Sequence, residues 1–306
     1  MQTSTAIQTW IDQQLTNNPP RAKSLVMTVF GDAIAPHGGT IWLGSLISLM
    51  SHFGINDRLV RTSVFRLAEE GWLEARRDGR RSTYQLATAS YARFQHAYKR
   101  VYVPQTGKWD HYWTLVIMSG DDTSTGNKAS LKKELLWEGF RMINAGVFAH
   151  PQADTAALQN VLGRNGFAGL CTVCRTSDLN LPNARPLPSL IASHWQLDEV
   201  NIAYKNFIEA FSPLIKLVQG QNLPEHAAFV IRSLLIHSFR RTQLHDPNLP
   251  SSLRPEGWLG DEAYRLCRDL YRACFRPAEN LLSQVLDPEH RQDSGLSLQE
   301  RFGGLF

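Results

Sequence analysis

The chain has 306 residues, 43% of them apolar and 20% charged, with four cysteines. That length and balance imply two or three domains with a real core, and they exclude a disordered, collagenous or disulfide-scaffold protein. The net charge of +4 is unevenly placed: residues 1–100 hold 12 Lys/Arg against 7 Asp/Glu, residues 101–306 hold 20 against 21, and the basic surplus of the first third points to nucleic acid.

Residues 1–20 are polar and end in Asn17-Asn18-Pro19-Pro20, which reads as an extended entry. A helix is predicted over 21–35, with Val26, Val29, Phe30, Ala33 and Ile34 on one face, broken by Pro36-His37-Gly38-Gly39. Thr40 is the expected N-cap of a second helix whose stripe is Leu43, Leu46, Ile47 and Met50. A third helix, capped by Asn56 or Asp57, runs to Glu70 and stops at Gly71. Residues 72–77 and 80–86 then form a hairpin through the type I′ dipeptide Asp78-Gly79.

Residues 90–108 are predicted as a connecting helix and linker. Residues 111–118 read as a buried strand, 119–127 as a polar loop, 128–140 as helix, 145–149 as a short strand, 154–163 as helix and 167–175 as strand. Such alternation suits a ferredoxin-like α/β sandwich. A proline-rich seam over 181–188 is followed by helices at 197–219, 223–245 and 257–286, which prolines such as Pro213 kink or separate. The expected fold is α+β and mostly helical. A winged helix-turn-helix occupies 1–90, a linker helix and ferredoxin-like domain 91–188, and a helical domain 189–306.

The order of two helices, a third helix and a basic hairpin carries the functional signal. Arg58, Arg61 and Thr62 stand in the first turns of the third helix, opposite Val60, Val64 and Leu67. Arginine there can read guanine with a bidentate pair, and Arg66 can anchor a phosphate. Arg76, Arg77, Arg80 and Arg81 surround the hairpin tip and suit backbone or minor-groove contact, and Lys23 adds a further phosphate contact. The expected partner is double-stranded operator DNA read as an inverted repeat.

Phe30-Gly31-Asp32, the run Gly38 to Leu46, Val60 to Leu67, Glu70 to Leu73 and Gly79 to Ser82 resemble the PaaX repressors of phenylacetic acid degradation. So do Trp137-Glu138-Gly139-Phe140, Leu235-Ile236-His237, Arg240-Arg241, Asp246-Pro247 and Arg301-Phe302-Gly303-Gly304. The resemblance implies a homodimeric transcriptional repressor with a GntR-like winged helix, a Cas2-like centre and a helical C-terminal domain. It also implies release from DNA by phenylacetyl-CoA and no bound cofactor. An acyl-CoA needs cationic donors for phosphate and an apolar slot for its aryl group. The candidates are Trp109, Trp195, His237, Arg240, Arg241, Trp258 and Arg254, with His237 and Arg241 on one helical face.

Other patterns fall short. Cys171-Thr172-Val173-Cys174 lacks a second zinc-ligand pair, so core cysteines are expected. Residues 120–128 lack P-loop spacing and carry two acids. His226, His237 and His245 with Asp198 are too widely spaced for one metal, and none is expected. Asp121-Asp122 could hold Mg²⁺ for phosphodiester cleavage, so a Cas2-like nuclease is the alternative from another class. A ligand-independent DNA-binding regulator is a third. No other enzyme motif appears, so the chain is read as a non-enzyme. No run approaches the ~18 apolar residues of a membrane span. Met1-Gln2-Thr3-Ser4-Thr5 does not start a signal peptide, and the expected setting is the reduced cytoplasm, away from membranes.

Overall fold

The computed structural model describes residues 2–78, 81–104, 108–119, 125–164, 167, 169–177, 185–220, 222–287, 298 and 300–304. It is a mixed α+β chain dominated by helix. Two compact units divide it: 1–104 with 205–241 and 261–306, and 105–204 with 242–260.

The first unit opens with a helix, α1 (Gln2–Asn17), where the polar composition suggests an extended entry. Ile7, Trp10 and Ile11 recur at helical spacing and are buried. The Trp10 ring lies 5.4 Å from Phe211, and its indole N–H donates to the Ala210 carbonyl at 3.1 Å. The predicted helix 21–35 is three pieces: α2 (Ala22–Val29), a π-helical turn at Phe30–Ile34 and a 3₁₀ turn at Ala35–His37. Gly38 (φ 95°) and Gly39 (φ 70°) then turn the chain in the left-handed region that favours glycine.

Thr40 does not cap a helix. It opens the strand β1 (Thr40–Trp42), where backbone pairing across to Gln85 holds it extended, and α3 (Leu43–Ser51) starts without a side-chain cap. α4 (Asp57–Glu69) is capped by Asn56, whose side chain accepts the Leu59 N–H at 3.0 Å. The hairpin β2 (Leu73–Asp78) and β3 (Arg81–Leu86) completes an antiparallel sheet in the order β1-β3-β2. Its predicted Asp78-Gly79 turn falls partly on Gly79 and Arg80, outside the described residues. Val29, Leu46, Val60, Val64, Leu67 and Leu73 are buried among these elements, and α5 (Tyr91–Tyr102) follows.

The second unit runs β4 (Tyr112–Met118), α6 (Thr125–Trp137), β5 (Arg141–Asn144), β6 (Val147–His150), α7 (Thr155–Leu162) and β7 (Cys171–Ser177). This βαββαβ chain makes one antiparallel sheet in the order β5-β6-β4-β7. The single strand expected at 145–149 is a hairpin turning at Gly146 (φ 72°). β4 is half-buried rather than buried: Trp113 and Val116 are buried in separate clusters on opposite faces, while Tyr112 and Ile117 are 44% and 40% exposed. Cys171 and Cys174 sit half-buried on opposite faces of β7, while Cys267 and Cys274 are core residues.

A short helix, α8 (Leu187–His194), begins at the end of the predicted proline seam, whose residues 181–184 lie outside the described residues. α9 (Leu197–Val218), α10 (Glu225–Gln243) and α11 (Gly260–Val285) follow close to prediction, and Pro213 does not end α9. Among the described residues no helix is long and apolar enough to cross a membrane.

One buried carboxylate organises the first unit. Asp32 is 2% exposed. Its Oδ1 accepts from Tyr102 (2.6 Å), Tyr271 (3.0 Å) and Arg301 Nη1 (2.8 Å), and its Oδ2 accepts from Arg232 Nε at 2.8 Å. Arg232 and Arg301 also donate to the Asp32 carbonyl, at 3.0 and 3.1 Å. Arg232 Nη1 reaches Glu279 at 2.5 Å, and His37 lies 2.8 Å from the other Glu279 oxygen. Both guanidiniums are fully buried and stack on rings, Arg301 4.1 Å from the Tyr102 centroid and Arg232 4.9 Å from that of Tyr271.

A second polar tie joins α2 to α10. Arg240 donates to the Thr28 hydroxyl (2.8 Å) and the Ser24 carbonyl (2.9 Å), and the same hydroxyl lies 2.9 Å from His237 Nδ1. Burial, then the charges of Arg240 and Arg241, push His237 down to about 3 from its ordinary 6.5. It is therefore neutral at pH 7.

Removing one partner from a buried ion network strands the others. Asp32→Ala is expected to destabilise the protein by about 3–5 kcal/mol in equilibrium denaturation, and a loss under 1 kcal/mol would show that the network is dispensable. The His237 shift sets a pH dependence. The unfolded chain takes up a proton below about 6.5 that the folded chain refuses until about 3, so stability present at neutral pH falls across that window. Urea midpoints at pH 7, 5 and 4 should show this fall, and His237→Asn should flatten it.

Candidate nucleic-acid interface

α4 is amphipathic for a simple reason. Val60, Ser63, Val64 and Leu67 recur at helical spacing and are buried, which leaves Arg58, Arg61, Thr62, Phe65 and Arg66 exposed. The Asn56 cap satisfies an N–H of the first turn and fixes where the helix begins. Thr62 turns its hydroxyl back to the Arg58 carbonyl at 2.9 Å. Arg61 holds Asp57 at 2.6 Å, both more than half exposed. Such a surface pair is worth about 0–1 kcal/mol, so the guanidinium exchanges it readily for another anion.

The hairpin presents Arg76, Arg77 and Arg81, all exposed. Adjacent residues of a strand point to opposite faces, so Arg76 and Arg77 flank the ribbon. The Arg81 guanidinium covers the Trp42 ring at 4.7 Å. The Trp42 indole N–H donates to Asp287 at 3.3 Å, and Ser45 donates to the Val285 carbonyl at 3.1 Å, so the end of α11 abuts the start of α3. A groove of about 680 Å³ lies there, lined by Trp42, Arg61, Arg81, Ser82 and Asp287 among others. Lys23 pairs with Glu70 at the surface, which offsets part of its charge. Arg80 lies outside the described residues.

The residues weighed for an effector part into two groups. Trp109, Trp195 and Trp258 come together in the second unit, in one apolar cluster with Trp113, Ile191, Leu197 and Leu249. Trp109 spends its N–H on the Pro151 carbonyl (2.9 Å). The buried indole N–H groups of Trp113 and Trp195, with rings 5.9 Å apart, find no hydrogen-bond partner among the described residues. His237 and Arg240 belong to the α2–α10 tie of the first unit, and Arg241 is exposed. Arg254 donates to the Leu249 carbonyl at 2.6 Å. Among the described residues no three His, Cys, Asp or Glu side chains gather as a metal site requires, and Asp121 and Asp122 lie outside that set.

The sequence reading gives no role to Asp32, Arg232, Glu279, Trp42 or Asp287, although Asp32 and Trp42 lie in motifs that carry the resemblance. Asp32 and Arg232 had a legible signal, since each interrupts an otherwise apolar helical stretch, and a charge there must find a partner.

Family models match three successive stretches of the chain. A PaaX-like protein model covers 21–90, the PaaX protein central Cas2-like domain 106–187, and the PaaX-like protein C-terminal domain 195–284. The transcriptional repressor PaaX of Escherichia coli (strain K12) is 34% identical over 304 residues, 98% of this chain and 95% of that protein. The uncharacterized protein Rv0674 from Mycobacterium tuberculosis shares the fold at 21% identity, with a TM-score of 0.53 over 86% of this chain and 98% of that one. On these matches the chain belongs to the PaaX family.

Proposed function

We propose that this protein is a DNA-binding transcriptional repressor of phenylacetate catabolic genes, and that α3, α4 and the β1-β3-β2 sheet act as a winged helix-turn-helix. The observation that carries the reading is the exposed stripe of Arg58, Arg61 and Thr62 on α4 beside the arginine-bearing β2–β3 hairpin. It occurs in a chain that matches a transcriptional repressor along 98% of its length. α4 enters the major groove with its capped end leading, where Arg58, Arg61 and Thr62 read bases and Arg66 meets a phosphate. The hairpin arginines, Arg80 included, grip the backbone or minor groove, and Lys23 reaches a phosphate once it releases Glu70. The protein works in the cytoplasm as a homodimer, so that two such helices read an inverted repeat. The central domain's Cas2-like character is a likeness of fold and not of chemistry, and the protein regulates rather than cleaves.

Phenylacetyl-CoA is the effector in this reading. The aryl group enters the tryptophan cluster of the second unit, where the free N–H groups of Trp113 and Trp195 are hydrogen-bond donors for an acyl oxygen. Arg254, of the same unit, is the candidate for its phosphates. Release of DNA requires that the thioester bind more tightly to an arrangement of the dimer in which the two recognition helices miss the operator spacing. α9 and the end of α10 carry the chain between the two units and offer the covalent route for that coupling.

Fluorescence anisotropy on the promoter DNA beside the protein's own gene tests both parts. Arg61→Ala should cost about 1–3 kcal/mol and relax sequence preference. Arg81→Ala should weaken all sequences alike and reduce the salt slope by about 1. Specific binding that survives Arg61→Ala unchanged would refute the assignment of α4. Phenylacetyl-CoA should release the DNA, while free phenylacetate and CoA should not. Binding indifferent to the thioester would leave a ligand-independent regulator.

A further inference from the structure

α4 displays an aromatic ring where a solvated helix ordinarily shows a charge. At roughly 100° per residue, Arg58, Thr62 and Phe65 fall within about 40° of the pole opposite Val60 and Leu67, with Arg61 at the edge of the same stripe. Phe65 is 59% exposed, the joint largest exposure of any large apolar side chain described. Its ring is not needed by the core, which Val60, Ser63, Val64 and Leu67 complete on the other side. Its neighbours one turn back are Arg61 and Thr62, with Arg58 a further turn away, and Glu69 lies one turn on, in the last turn of the helix.

Those neighbours select the occupant. A second copy packed in parallel would bring Arg58 and Arg61 against their like charges, and one packed antiparallel would leave only Glu69 on the stripe to answer two guanidiniums. A polyanionic duplex is complementary to the arginines, and the apolar group it offers to a side chain in the major groove is the C5-methyl of thymine. We propose that Phe65 is a base-reading residue whose ring packs on a thymine methyl in the major groove, next to the bases read by Arg61 and Thr62. The inference rests on α4 being the recognition helix and adds to it a specificity that the arginines do not supply. Arginine reads guanine, and the exposed ring favours thymine over cytosine at a neighbouring position.

The test uses the full-length protein and operator duplexes obtained by selection from random DNA. Each thymine is replaced in turn by deoxyuridine, which removes the methyl and keeps the base-pairing groups. Wild type should lose about fourfold in affinity at one or two positions in each half-site, as expected for one buried methyl. Phe65→Ala should bind thymine DNA more weakly and should be indifferent to deoxyuridine at those same positions. Phe65→Leu should keep part of the discrimination, and Arg58→Ala should keep all of it while binding more weakly. If Phe65→Ala retains the wild-type deoxyuridine profile, the proposal is wrong although α4 still reads DNA. If Phe65→Ala instead dissociates the dimer in sedimentation, the ring belongs to a protein interface and the proposal is equally wrong. If wild type selects no sequence at all, the recognition-helix reading fails and takes this one with it.

Discussion

The first unit depends on the carboxylate of Asp32. A buried charge costs several kcal/mol unless it is fully paired, and here the pairing comes from three helices and the turn at Arg301. The groups converge on the π-helical turn after α2 from α5 (Tyr102), α10 (Arg232), α11 (Tyr271 and Glu279) and the turn at Arg301. Oil-like packing tolerates sliding. Directional bonds to one carboxylate do not, because each lost bond leaves a buried charge exposed to nothing. The network therefore sets where the N-terminal helices sit on α10 and α11.

That placement bears on function through contiguous elements. α2 leads through the π turn and the two glycines into β1, which pairs with β3 of the arginine hairpin. α11, which supplies Tyr271 and Glu279 to the network, ends against α3 and Trp42, and Trp42 in turn lies under Arg81. The cationic surface of α4 and the hairpin is thus tied to the helical body through the middle and the C-terminal end of α11. A change that moves α10 or α11 has a direct physical path to the surface that meets DNA. Asp287, a carboxylate lining the same groove as Arg61 and Arg81, opposes a phosphate there and tempers the attraction of that end.

Local chemistry was legible from the sequence, and distant pairing was not. Asn56, the stripe of Val60, Val64 and Leu67 and the stop at Gly71 define α4 because cap, period and breaker agree within about four turns of chain. The arginine hairpin was equally plain. β1 was missed because three residues show no alternation, and its strand character comes only from pairing with β3. α1 is not legible because its three buried residues are diluted in a polar stretch, and the prolines after it favour extended backbone. The Asp32 network joins positions 200 and 269 residues apart, a distance over which no periodicity carries information. The tryptophans were picked singly for their chemistry, and only the fold brings three of them into one cluster. His237 and Arg240 read as effector contacts because an acyl-CoA needs cationic donors and they lie close together on one helix, and the fold engages them with Thr28 and Ser24 instead.

The central claim is that α4 and the hairpin form the surface that meets DNA. Hydrogen–deuterium exchange of the full-length protein, with and without operator duplex at fixed salt, tests it without altering a residue. The account predicts that DNA slows exchange in α4, especially its first two turns, and in β2 and β3, and leaves the β4–β7 sheet unchanged. Protection confined to the β4–β7 sheet, with α4 and the hairpin unaffected, would contradict it.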